Sequence, residues 1–338
     1  MTWRRRAAVA LLCGAAAATP RAADPAAKLQ TILTRDLQFS AGELADLERG
    51  RTVRHSLKAS SPGEIGVAGA TRVNTSKSRL LDRVRDVATF KRGPDVLQIG
   101  TFSTPPVEAD LAALTVDAED FDASDCRVHD CDVRLPADAI GRFAAIDPNA
   151  ADAQARGAAL LKHLIFEQVS AYVSGRPGRF TQYDDGERPI RPLDAFADLL
   201  SHERALDDLV PGLRDHLREF PAARLAGAQE VLYWSKEKFG FDPFITVTHM
   251  TIVCPEPALC VVASKDVYST RYIDASLSLT IAHDAPEPAR AFDLVYVNRT
   301  RASALTGFFS GLRRSIAERR ARSGLEERLK ATRAMLER

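Results

Sequence analysis

The sequence predicts an α+β protein built on an antiparallel sheet that is followed by a long C-terminal helix. Residues 244–298 contain four consecutive runs rich in β-branched and aromatic residues, joined by short turns. Residues 303–338 instead place apolar residues at helical spacing. Two earlier runs, 52–59 and 64–73, flank a Ser-Ser-Pro-Gly turn. They are typical of a β-hairpin.

The strand predicted over residues 271–282 has the clearest alternation. Leu277, Leu279 and Ile281 point to one face, and Ser276 and Ser278 point to the other. Short turns between the strands predict an antiparallel meander with one buried face and one face in water.

His249 is the strongest candidate for a functional polar side chain. It lies in the middle of the first strand of the meander, on the face that it shares with Val247. In an apolar interior it could orient a ligand, or act as an acid or base. A hydrogen-bonded structural histidine is the alternative. Lys265 and Lys236 also lie on predicted strands, where they could face a cavity or form cross-strand ion pairs in water.

The C-terminal helix is predicted to close the sheet. Its apolar stripe should pack against the buried face of the meander, including Leu277 and Leu279, and should form one wall of a cavity. From Arg301 to Arg338 the chain carries ten basic and four acidic residues. This excess could attract an anionic membrane surface, and a solvated helix face is the alternative. The stripe consists of Leu305, Phe308, Phe309, Leu312 and Ile316.

The N-terminus has the pattern of an export signal. Three arginines at positions 4–6 precede an apolar run over residues 7–18, and small residues follow up to position 23. We therefore expect residues 1–23 to be a cleaved signal peptide and the remaining chain, 24–338, to be periplasmic or secreted. Removal of that segment takes away four arginines and changes the formal charge from +1 to −3. Such a balance argues against nucleic-acid binding.

Four cysteines remain after the signal segment. In an exported protein an even number of cysteines indicates two disulfides. Local spacing favours Cys126–Cys131 and Cys254–Cys260, the second pair flanking a hairpin turn. A metal site that adds His129 to the first pair is the alternative, although its spacing matches no zinc pattern.

Residues 104–230 have a different pattern of residues, which predicts mainly helices. Strands are predicted on either side of them, at 96–102 and 231–239, and shorter ones inside them at 133–135 and 180–183. Five acidic residues lie between Asp117 and Asp125. Calcium binding is one interpretation of these residues, but the spacing is not that of an EF-hand loop, and a solvated acidic loop is the other.

The order of these elements resembles the START-like (SRPBCC) superfamily over Arg51–Phe102 and Phe244–Glu337. Arg83-Val-Arg-Asp-Val-Ala-Thr-Phe90 is similar to the end of that family's first helical region, and Val295-Tyr-Val-Asn-Arg-Thr-Arg301 to its last strand. The resemblance implies a helix-grip fold, in which a curved antiparallel sheet wraps around a long C-terminal helix and encloses an apolar cavity. Residues 104–230 would then be an insertion or a lid.

The sequence contains no Gly-x-Ser-x-Gly, phosphate-binding loop, dinucleotide fingerprint or His-Glu-x-x-His motif. We therefore expect a protein without catalysis, metal or cofactor that binds a hydrophobic small molecule or lipid. The alternatives are a cyclase- or hydrolase-like START relative that uses His249, and a surface module that binds a partner protein. A histidine that converges with a carboxylate or tyrosine would favour the enzyme. The expected ligand-binding residues are His249, Val247, Leu277, Leu279, Phe308, Phe309 and Leu312.

Overall fold

The computed structural model describes residues 29–176, 178, 180–239, 242–286, 290–306 and 310–338. The predicted signal segment, 1–23, lies outside these residues. The described chain forms an α+β fold around one curved antiparallel sheet of eight strands, in the order β1-β2-β8-β7-β6-β5-β4-β3. The strands are β1 Val53–Leu57, β2 Glu64–Val73, β3 Val96–Thr101, β4 Gln229–Glu237, β5 Phe244–Glu256, β6 Leu259–Ser269, β7 Ala275–Asp284 and β8 Phe292–Arg301.

The helices lie before, between and after these strands. A capping box at Ser40, whose side chain and that of Glu43 satisfy each other's backbone amides, begins α1. Gly175, in the left-handed conformation, ends α5. The α-helices are α1 Ala41–Glu48, α2 Lys77–Arg85, α3 Val87–Phe90, α4 Ala137–Phe143, α5 Ala153–Ser174, α6 Pro192–His202, α7 Ala205–Leu209, α8 Leu213–Glu219 and α9 Ser310–Glu337.

Each predicted major strand is present, and the two short predicted strands inside 104–230 are not. Residues 133–135 lie outside any strand, and the 180–183 segment contributes only an isolated bridge between Tyr183 and Ile190. Proline and glycine residues around the second segment prevent a longer ladder.

The first face of the sheet, which carries Val247, Leu277 and Leu279, is covered by residues from the long segment between β3 and β4. Helices α4 and α5 pack over Val247 and Trp234. Helix α6 packs over β7, and its Phe196 lies in the same cluster as Leu277 and Leu279. Residues of α7 and α8 belong to this cluster as well. Residues 104–230 therefore form a layer on this face; their interpretation as an insertion or lid stays a prediction.

The second face, which carries Met250, Ile252 and Leu294, is also covered. Helix α2 and the C-terminal half of α9 pack there, in one cluster with these residues. The expectation that one face of the meander would be in water is therefore wrong for this part of the sheet. The strands carry apolar residues at both parities, so both faces require cover.

The predicted packing of the C-terminal helix is wrong. Helix α9 lies on the second face, where Leu325 and Leu329 pack against Gly69 on β2 and leave no room there for a side chain. Leu277 and Leu279 point to the first face, which α6 already covers. The stripe residues Leu312 and Ile316 are 66% and 43% exposed, and Phe308 and Phe309 lie outside the described residues.

The two predicted disulfides, Cys126–Cys131 and Cys254–Cys260, are present. His129, in the turn between the first pair, faces the carbonyl oxygen of Gly186 and not a metal ligand set. Disulfides are typical of proteins outside the reducing cytoplasm, which agrees with the expected location.

Buried ion pairs connect the layer on the first face to the sheet. Arg299 on β8 contacts Glu203, at the end of α6, at 2.8 Å and Glu64 on β2 at 2.6 Å. In the acidic segment, Asp120 contacts Lys236 on β4 at 2.5 Å. The sequence predicted that Lys236 would either face a cavity or form an ion pair in water. Lys236 is buried, and its ion pair lies in the protein interior instead.

Candidate functional site

His249 lies at the centre of a buried polar cluster on the first face. The alternation of β5 points it to the same side as Val247, as predicted, and its side chain is fully buried. In the β4–β5 register Leu232 lies opposite His249, so Glu230, two residues earlier, projects from the same face. Oε2 of Glu230 lies 2.7 Å from Nε2 of His249. On the other side of the ring, Oη of Tyr172 from α5 lies 2.7 Å from Nδ1.

His216 on α8 completes the cluster from the layer above the sheet. Its Nδ1 lies 3.1 Å from the carbonyl oxygen of Ala223, in the chain that leads from α8 to β4. Its Nε2 lies 3.0 Å from Oγ1 of Thr251 and 3.3 Å from Oε1 of Glu230. Both histidines therefore direct Nε2 toward one carboxylate.

The partners of each ring determine where the protons lie. The carbonyl of Ala223 can only accept, so Nδ1 of His216 carries a hydrogen. A Glu230 carboxylate also only accepts, so Nε2 of His249 donates to it and Tyr172 donates its hydroxyl hydrogen to Nδ1. If a metal ion took the place of the hydrogen on Nε2, Nδ1 of His249 would carry the hydrogen and Tyr172 would accept it, because a hydroxyl can donate or accept.

Burial and these contacts shift the ionisation of the cluster. Burial opposes the charged form of Glu230, but hydrogen bonds from His216, His249 and Thr251 outweigh it and lower the pKa of Glu230 to about 2. Burial lowers the pKa of His249, against the opposing effect of Glu230. Burial also raises the pKa of Tyr172 well above its ordinary value. Near neutral pH Glu230 is thus charged, and Tyr172 and His249 are neutral.

Lys265 on β6 is the second buried base near this site. It lies opposite His249 in the β5–β6 register, and its Nζ donates to the carbonyl oxygen of Leu217 at 2.6 Å. Rings of Tyr172 and Phe196 lie 5.0 and 4.9 Å from Nζ. Burial lowers the pKa of Lys265 to about 7. The expected alternative of an ion pair in water is wrong for Lys265, because this side of β6 is covered by helices.

Phe220 shields the cluster from the side of α8. Its ring centroid lies 4.3 Å from that of His249, 5.4 Å from Tyr172 and 5.5 Å from His216. Only Glu230 keeps substantial exposure among the three residues His216, Glu230 and His249, with 24% of its side chain accessible. Among these three residues, the side chain of Glu230 is therefore the one that solvent reaches.

His216, Glu230 and His249 can together hold a metal ion. One donor atom from each lies within 4.8 Å of the other two. Zinc bonds of about 2.0–2.1 Å at tetrahedral angles place neighbouring ligand atoms about 3.3 Å apart. Nε2 of His216 has that separation from Oε1 of Glu230, at 3.3 Å. Nε2 of His249 lies 2.7 Å from the other oxygen, Oε2, so a bound metal ion would require that contact to lengthen.

The other predicted ligand-binding residues lie outside this hydrogen-bonded cluster. Val247 is the next residue of β5 on the same face, and Leu277 on β7 lies opposite Lys265. Leu279 lies further along β7, and Leu312 is at the surface. Their roles in ligand binding stay predictions.

Sequence reasoning missed Tyr172, His216 and Glu230. Glu230 could have been found, because the predicted β4 began two residues too late and a hairpin register between β4 and β5 places Glu230 beside His249. Tyr172 and His216 carry no such signal, since no local pattern relates α5 and α8 to β5.

Comparison of the chain with protein-family models, curated proteins and solved structures finds no match. None of the helices in the described part of the chain combines the length and apolar character that crossing a bilayer requires.

Proposed function

We propose that this protein binds a divalent transition-metal ion through His216, Glu230 and His249. The observation that carries the proposal is the common orientation of the two imidazoles. Both direct Nε2 at one carboxylate, while both Nδ1 atoms face an oxygen outside the ligand set, from Ala223 or Tyr172. Metal-binding histidines need this outer contact, which fixes the ring and its tautomer.

The donor set indicates the class of ion. Two imidazole nitrogens and one carboxylate oxygen suit zinc and its neighbours in the first transition series better than calcium or magnesium, which prefer oxygen ligands. Three protein ligands leave a coordination position for water, as in hydrolytic zinc sites. A zinc ion there would lower the pKa of bound water and supply a nucleophile. The partial exposure of Glu230 gives that position a route to solvent.

A metal-free acid–base enzyme is the second candidate, and one specific observation favours it. Tyr172, His249 and Glu230 form a continuous chain with two contacts of 2.7 Å. In this arrangement the carboxylate orients the imidazole, which can take a proton from the hydroxyl. This convergence of histidine with carboxylate and tyrosine is the arrangement that favours an enzyme using His249.

Hydrophobic-ligand binding, which the START-like resemblance implies, has less support from the geometry. Leu277 and Leu279 lie in a cluster with α6 and are 2% and 0% exposed. A ligand on this part of the sheet would have to displace packed side chains.

Metal content tests the proposal. Protein purified without an affinity tag, stripped with a chelator and then titrated with Zn²⁺ should bind one ion per chain, measured by calorimetry and by elemental analysis after dialysis. His216→Ala and Glu230→Gln should each weaken binding by about 10-fold or more, because the first removes a ligand and the second removes the negative charge of one. His163→Ala is the matched control, since His163 is an exposed histidine beside Glu108 and Glu167.

The outcome also separates the two candidates. If the stripped protein binds no Zn²⁺ while its thermal unfolding is unchanged, the metal proposal fails and the metal-free relay remains. If His163→Ala removes binding and His216→Ala does not, the ion is held at the surface and the proposal fails as well. Cobalt gives a second readout, because Co²⁺ in a site of low coordination absorbs visible light and loss of His249 in His249→Gln should abolish that band.

A further inference from the structure

Helix α9 has two halves with different surroundings. In its C-terminal half, Leu325, Leu329 and Leu336 are buried on the second face of the sheet. In the half before Leu325, none of residues 311–324 is buried, and Leu312 and Ile316 are among the most exposed large apolar side chains of the described chain. Within the part of the chain that the structure describes, Leu312 and Ile316 therefore form a short apolar strip of this helix that no other segment covers.

The same half of the helix is rich in arginine. Residues 310–322 contain five arginines and one acidic residue, Glu318. Glu318 contacts Arg314 at 2.8 Å, one helical turn before it. Arg319 and Arg320 are exposed. The half helix thus presents a concentrated positive charge.

The positions of these residues place them on one side of the helix. Leu312, Ile316 and Arg319 follow each other at spacings of four and three residues, which lie in line on a helix surface. Arg313 and Arg320 flank the line on one side, each about 100° or less from it. Two apolar side chains next to a group of arginines can contact a membrane interface through both hydrophobic and electrostatic interactions.

We infer that residues 310–322 dock this protein onto an anionic lipid surface, with the helix axis parallel to it. Leu312 and Ile316 enter the boundary between headgroups and acyl chains, and the arginines contact lipid phosphates. A second copy of the chain suits this surface less, because pairing two such helices would bring like charges together. The inference does not depend on the proposed metal site, which lies on the other face of the sheet.

Vesicle binding tests this inference. The full chain is sedimented with vesicles of phosphatidylcholine that contain phosphatidylglycerol, and with vesicles of phosphatidylcholine alone. We expect binding to the anionic vesicles only, and loss of that binding at high salt. Arg319→Glu/Arg320→Glu and Leu312→Ser/Ile316→Ser should each reduce the bound fraction by about 10-fold or more.

Arg328→Glu/Lys330→Glu is the matched control. It makes the same change in charge at two exposed residues of the same helix, but in the half that packs on the sheet. The control should bind anionic vesicles nearly as well as the natural chain. Equal binding to both kinds of vesicle, or an equal loss in the control, would overturn the inference. So would dimers in light scattering that Leu312→Ser/Ile316→Ser converts to monomers, since a second copy would then cover the strip.

Discussion

His249 and Lys265 lie directly opposite each other on β5 and β6, and both are buried on the first face of the sheet. Two basic side chains are thus held side by side away from water. The two side chains have different partners. His249 contacts the carboxylate of Glu230, whereas the amine of Lys265 donates to the carbonyl oxygen of Leu217. A neutral carbonyl stabilises a charged ammonium group less than a carboxylate would. Burial therefore disfavours the charged form of Lys265 more strongly than that of His249.

We expect Lys265 to make stability depend on pH between about 7 and 10. Its pKa is lowered to about 7 in the folded chain, while an unfolded lysine titrates near 10.4. Between these values the unfolded chain binds a proton that the folded chain does not, so the free energy of unfolding rises with pH, by at most about 1.4 kcal/mol per pH unit. Urea unfolding of the natural chain and of Lys265→Met should show this slope in the first and a flatter profile in the second.

The exposed Lys330→Met serves as its control and should keep the slope of the natural chain. If Lys265→Met has the same profile as the natural chain, Lys265 remains charged in the folded state and its burial does not govern the pH dependence.

A second prediction concerns the ion pairs of Arg299. Arg299→Met would leave Glu64 and Glu203 buried without their cation, and we expect a loss of about 3–5 kcal/mol in the free energy of unfolding. Glu203→Gln should cost clearly less, because Arg299 keeps Glu64. Denaturant unfolding measures both. Arg301→Met, at a partly exposed pair with Asp198, should change stability by less than about 1 kcal/mol; a comparable loss there would show that burial of the pair is not the cause.

The two halves of α9 give a third prediction. Leu329→Ala removes a buried side chain that contacts Gly69 and should cost about 2–5 kcal/mol. Leu312→Ala, the same substitution on the same helix, should change the free energy of unfolding by less than about 0.5 kcal/mol, because Leu312 is exposed. Thermal or urea unfolding compares them, and similar losses would place Leu312 in a packed environment.

The disulfides give a fourth prediction. Non-reducing peptide mapping should recover Cys126 with Cys131 and Cys254 with Cys260. Replacing both Cys254 and Cys260 by alanine should lower stability by about 2 kcal/mol, at the low end for disulfides because the loop between them is short. A pairing between the two sets, or unchanged stability after replacement, would contradict this.

The strands were predictable because each carries its own local pattern. Alternation over β7 and the Ser-Ser-Pro-Gly turn before β2 are contained in a few consecutive residues. The buried position of His249 followed from the same reasoning. What surrounds His249 did not, since Tyr172 and His216 come from helices whose placement over the sheet depends on packing between distant segments.

The error on α9 has a related cause. An apolar stripe shows which side of a helix needs cover, but not which surface provides it. Strand β5 is apolar at both parities, with Val247 on one face and Met250 on the other. The sequence therefore allowed two positions for the helix, and the earlier helix α6 already occupied the first face over Leu277.

Strand β8 lies between β2 and β7 in the sheet, and this position affects when the protein can fold. Strand β2 pairs along its whole length with β8, so that Glu64 meets Arg301. On the ribosome β2 emerges first, and the strand with which it pairs follows only after the 218 residues between Val73 and Phe292 have been synthesised. Until then, the hairpin of β1 and β2 has one unpaired edge. Pairing between two strands that lie so far apart in the sequence is slow. Closure of the sheet is therefore a late event in the biosynthesis of this protein, reached only once translation of β8 is complete.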